Sequence, residues 1–132
     1  MNNQKITAES LKQHYIDLLG FVPEGIENRL ILAEKVNRTK SIEVIEQYRE
    51  QLIYNTAIDP KIQQLVHFAM LVALREDNPA KLHVAGALKS GATPEELFAV
   101  CETAAIVGGM PLFQRAVNLV TAGLVEHNKS NS

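Results

Sequence analysis

At 132 residues the chain has the length of one domain with a single hydrophobic core, and 46% hydrophobic residues with a formal charge of -2 are the composition of an ordinary globular protein. No basic excess is available to neutralise a phosphate backbone, which excludes nucleic acid as an expected partner. The one cysteine, Cys101, excludes an internal disulfide and with it a dithiol–disulfide cycle.

The polar stretch Met1 to Ile6 is predicted to be flexible. Thr7 then caps a first helix whose apolar residues Leu11, Tyr15, Leu18 and Leu19 fall on one face. Gly20 closes it, and Phe21 to Gly25 form a turn. Ile26, Leu30, Ala33 and Val36 mark a second amphipathic helix ending near Asn37. A third runs from about Ser41 to Asn55, with Ile45, Tyr48 and Leu52 expected inward and Glu43, Glu46, Arg49 and Glu50 expected in solvent. Asp59-Pro60 starts a fourth helix with a cap followed by a residue that needs no donor. From Leu65 to Leu74 its only polar residue is His67, so it is expected to be covered on every side, in part by another subunit.

After the polar turn Arg75-Glu76-Asp77, Asn78-Pro79 is read as the start of a fifth helix that ends at Gly91. Thr93-Pro94-Glu95-Glu96 opens the next as a capping box, Thr93 at the N-cap and Glu96 three residues on. Gly108-Gly109-Met110-Pro111 breaks the chain, and a last helix presents Phe113, Val117, Val120 and Leu124 before a tail from His127 to Ser132 expected to be flexible. No convincing apolar/polar alternation marks a strand. The expectation is an all-α, single-domain antiparallel bundle of about seven helices, with its core over about residues 24–126. No signal-peptide pattern opens the chain and no run of about 18 apolar residues is evident, so a cytoplasmic protein with no membrane partner is predicted.

Several side chains are candidates for chemistry. His83, flanked by Leu82, Val84, Ala85 and Gly86, is either a general acid/base kept neutral by its apolar flanks or a buried ring bonded to a carbonyl or to Gln64. His67 lies three residues after Gln64 on the same helix face, so Gln64, His67 and His83 can meet across a helix pair; a core histidine is the other reading of His67. Their spacing matches no compact metal motif, and no metal or cofactor is predicted. Cys101 reads as a small core residue. Glu102 points either into the same cleft or into water. Gly108 and Gly109 form either a plain turn or a nest of N–H groups for a substrate carboxylate. Arg115 holds either that anion or a surface salt bridge.

The pattern L-H-V-x-x-A-L-x-x-G-A-T-x-E-E-L from Leu82, followed by A-A-I-V-G-G-M-P (Ala104 to Pro111), resembles the carboxymuconolactone decarboxylase-like superfamily, which includes alkyl hydroperoxidase D. Ile58 to Val66 and Leu19 to Glu24 are similar to it too. The resemblance implies an alkyl hydroperoxidase D-like helical fold and a homo-oligomer, trimer or hexamer. In the peroxidase branch a Cys-x-x-Cys-x-x-x-His motif ends on the histidine, which places its cysteines at Glu76 and Pro79 and its proton-relay glutamate at Gln64. The thiol machinery is therefore missing. The decarboxylase branch also lacks those cysteines, although its usual tyrosine is replaced by Val107. It implies general acid/base catalysis by His83 on a small carboxylated lactone or related carbonyl compound, with Gln64 and backbone amides holding negative charge. Two further readings are a non-catalytic oligomer that binds a small molecule and, against the cysteine count, a peroxidase.

Overall fold

The computed structural model of the chain describes residues 7–130. The expected flexibility of residues 1–6 lies outside the described residues, as do Asn131 and Ser132. Six helices make up the fold, α1 (Ala8–Leu19), α2 (Glu24–Lys35), α3 (Thr39–Tyr54), α4 (Pro60–Ala73), α5 (Asp77–Lys89) and α6 (Pro94–Ser130), and there is no strand among the described residues. The helices fall into two compact units, α1 to α3 up to Ala57 and α4 to α6 from Ile58.

Local sequence sets most boundaries. Thr7 and Ser10 cap α1 reciprocally, and Gly20 ends it with φ 91°. The Asp59 carboxylate accepts from the Lys61 and Ile62 N–H groups at 3.0 and 3.4 Å, which orients the first turn of α4. The Thr93 hydroxyl accepts from the Glu96 N–H at 3.1 Å, and the Glu96 carboxylate accepts from the Thr93 N–H at 3.0 Å. That backbone bond, followed by the Lys61 ammonium 3.0 Å away, holds the Glu96 carboxyl below its usual range. The start of α5 differs from expectation. Glu76, not Asn78, is the N-cap, and Pro79 falls within the first turn. The shift is harmless because no N–H in a first turn has an intrahelical partner.

In the first unit, Leu11, Tyr15, Leu18 and Leu19 of α1 are buried as expected. Ile26, Leu30 and Ala33 of α2 are buried too, but Val36 is exposed. Helix α3 is turned from its expected orientation. Ile42 and Glu46 are buried, whereas Ile45, Tyr48 and Leu52 are exposed, Tyr48 by 66%. The cause is polar. The Tyr15 hydroxyl donates to Glu46 Oε1 at 3.1 Å, giving the buried carboxylate a partner, and the Arg49 guanidinium lies 4.9 Å from the centre of the Tyr15 ring. Periodicity selects the greasier stripe of α3 and cannot see a partner 31 residues away.

Burial pushes the Tyr15 phenol up to about 12; the Arg49 charge partly opposes this, and the Glu46 charge adds to it. Below the unfolded value of about 10 both states hold the proton, so the contribution to stability is complete there, and it is lost as pH rises from about 10 towards 12. Tyr15→Phe is expected to flatten that alkaline decline. At neutral pH it should cost about 1–3 kcal/mol, because Glu46 loses its donor. Urea unfolding of both proteins between pH 7 and 11 checks both effects.

In the second unit α4, α5 and α6 pack against one another. Their shared core is built on Phe68 and Val72, on Ala80, Val84 and Ala87, and on Leu97, Cys101, Ala116 and Val120. The small residues of α5 let its neighbours come close. Closest of all is Gly123, where an added Cβ would overlap Cγ1 of Val84. Within this chain Met70 of α4 and Leu74 at its C-terminal end are exposed.

Two of the expected helices are joined in α6, giving six in place of about seven, but the joint is sharp. Gly109 interrupts the element at φ 79° and ψ -174°, a backbone conformation that needs the missing Cβ, and Pro111 follows. The Phe98 and Phe113 rings meet edge to face with centroids 5.9 Å apart. Fifteen residues of straight helix would separate them by about 22 Å, so the two halves turn back on each other. The second half continues to Ser130, so His127 to Ser130, expected as tail, are helical. By length and composition alone α6 could cross a membrane, which the sequence reading did not anticipate.

Candidate functional site

The second unit brings Gln64, His67 and His83 together. Gln64 is buried on the inner face of α4, and His83 is half-buried one position before the fully buried Val84 of α5. Nδ1 of His83 lies 2.7 Å from Oε1 of Gln64. An amide oxygen only accepts, so Nδ1 carries the hydrogen and Nε2 is the basic nitrogen of the neutral ring. His67, one turn beyond Gln64, sets its ring against His83 with centroids 4.8 Å apart and planes at 89°. The juxtaposition expected from the i, i+3 spacing on α4 is therefore present.

The other candidates are placed differently. Arg115, in the second half of α6, donates from Nε to Asp77 Oδ1 in the first turn of α5 at 2.6 Å. It thus serves as the salt bridge that was one of its two expected readings. Asp77 was not singled out from the sequence, although a first-turn acid is itself a signal for such a partner. Glu102 is exposed on α6. Gly108 and Gly109 are exposed at the bend, and Gly108 packs so closely on Leu112 that a Cβ there would overlap it. Cys101 is fully buried, and burial, with Glu102 adding to it, pushes its thiol up, so the thiolate needed for peroxide chemistry is disfavoured. No group of three or more metal-ligating side chains occurs among the described residues.

A cavity of about 140 Å³ in the first unit is lined from α1 and α2, over Leu11, Ile26 and Leu30 with Lys12, Glu27 and Glu34 among its lining. The Lys12–Glu27 ion pair, at 3.2 Å, is part of that lining. Cavity size is a weaker guide to chemistry here than the hydrogen-bonded histidine, because the cavity holds no candidate acid, base or nucleophile beyond these solvated charges.

The second unit is thus an all-helical scaffold in which a half-buried histidine is bonded to a buried glutamine on the adjacent helix, in a chain with a single cysteine. The chain belongs to the carboxymuconolactone decarboxylase family, whose sequence model matches residues 40–122, from α3 through most of α6. It is similar to an uncharacterized protein of Methanocaldococcus jannaschii, with 28% identity over 97 residues that cover 74% of this chain and 91% of that relative.

Proposed function

We propose that this protein is a lyase of the carboxymuconolactone decarboxylase type, with His83 as general acid/base on a small carboxylated lactone or related carbonyl compound. The observation that supports this reading is the 2.7 Å bond between His83 Nδ1 and Gln64 Oε1. It fixes the tautomer, and the amide accepts the Nδ1 hydrogen whether the ring is neutral or charged. In a decarboxylation the bond to the carboxylate carbon breaks, carbon dioxide leaves, and the electron pair enters the conjugated carbonyl system. Carbon then takes a proton, which imidazolium Nε2 of His83 delivers. Backbone N–H groups at Gly108 and Gly109 are candidates for the substrate carboxylate, with Glu102 beside them in the same proposal. Arg115 contributes through Asp77 rather than as an unpaired cation. The buried, raised thiol of Cys101 weighs against hydroperoxide reduction.

The test is a panel of small unsaturated lactone carboxylates, followed for carbon dioxide release by the purified protein. Turnover that saturates with one of them supports the reading. Binding of the same compounds without turnover would instead favour a binding protein, a reading that the uncharged Gln64 in the acid's position also fits.

The partner in the proposal is a second copy of the chain in a trimer or hexamer. Ile106 and Val107, 89% and 73% exposed beside the bend of α6, Met70 of α4 and Leu74 just after it are the apolar side chains such copies would cover. Ile106→Asp is expected to shift the protein to smaller species in light scattering behind a sizing column. An unchanged mass would remove the bend from the interface.

A further inference from the structure

We infer that His67 is a positioning residue for His83, and that the two rings carry at most one positive charge between them at neutral pH. The inference rests on the proposed role of His83 and assigns its neighbour a part in it. The rings meet at right angles with centroids 4.8 Å apart. In that arrangement the positive edge of one ring points at the electron-rich face of the other, which is favourable while at least one of them is neutral. Two cations at that separation repel. By Coulomb's law the second protonation moves down by about 0.6 pH unit in water-like surroundings and by about 2.5 units at an effective dielectric constant of 20.

Gln64 decides which ring is charged first. Its carbonyl oxygen accepts from His83 Nδ1 at 2.7 Å, and that bond strengthens when the ring becomes a cation. The first proton therefore resides on His83, and His67 stays neutral against it. Lys61 of α4 pairs with Glu96 of α6, and Asp77 of α5 pairs with Arg115 of α6. Glu76, Lys81, Lys89, Glu95, Glu102, Glu126 and Lys129 are exposed, His127 lies near the end of α6, and Cys101 is a buried thiol. A neutral His67 holds the His83 ring at a fixed angle. By refusing a second charge it separates the pair's protonation into two steps.

The test reads protons and not turnover, so its failure and that of the lactone panel are separate results. The imidazole resonances of the full-length protein are followed by NMR from pH 4 to 9 and assigned with single variants. In His83→Gln, His67 is expected to take up its proton at least about half a pH unit higher than in the wild type. In His67→Phe, which keeps an aromatic ring in place, the His83 curve is expected to become a single step without the low-pH component present in the wild type. Coincident His67 curves in wild type and His83→Gln, or an unchanged His83 curve in His67→Phe, would overturn the inference.

Discussion

His83→Ala is expected to lower turnover of a carboxylated lactone by roughly 10²–10⁴-fold, the range that a positioned general acid/base supplies. The loss should appear in kcat more than in KM, because the ring moves a proton and is not proposed to carry the substrate's charge. Folding should change far less. His83 is only half-buried, and the core beside it is carried by Val84 and its neighbours. The alanine does leave the buried Gln64 without the His83 hydrogen, which should cost about 1–3 kcal/mol. Steady-state kinetics and thermal melts on both proteins make the comparison. Equal turnover would reject His83 as the acid/base even if the fold assignment stands.

Gly123→Ala is expected to be the most damaging of the conservative substitutions. The new Cβ would overlap Val84 Cγ1 and lie 3.1 Å from Val84 Cβ, both on a residue that is completely buried. Neither side can give way: Val84 is a β-branched residue in a helix with one strongly preferred rotamer, and Gly123 sits on the facing side of α6. Overpacking of this kind costs about 1–3 kcal/mol, or a fall in the thermal midpoint of roughly 3–12 °C. Val84→Ala makes room for the methyl group. The double variant should therefore be more stable than the sum of the two single losses predicts, and simple additivity would mean that the contact is not tight.

Much of the fold was legible because its signals are local. Thr7, Asp59, Thr93 and Glu96 announce helix starts through bonds spanning two or three residues, and all four make them. The meeting of Gln64 with His83 was legible for a related reason. Helix α4 is joined to α5 by a three-residue link, Leu74 to Glu76, which leaves the two helices little choice but to be neighbours. What the sequence hid depends on distant pairs. Glu46 reads as a surface acid until Tyr15 is placed above it. Val84 and Gly123 read as an ordinary valine and an ordinary helix glycine, and only the approach of α5 to α6 makes them a pair. Gly109 was visible as a break, and its φ of 79° interrupts α6 there.

The bend at Gly109 also changes what the length of α6 means. Spanning the oily interior of a bilayer takes about 20 apolar residues along one straight axis, roughly 30 Å. The uncharged run from Thr103 to Gln114 has the bend at its middle, and the Phe98–Phe113 contact brings the flanks together. The 37 residues therefore form a folded arm rather than a rod. Ile106, Val107 and Met110 lie exposed at its elbow, so apolar surface is gathered at a corner of α6 rather than spread along one axis.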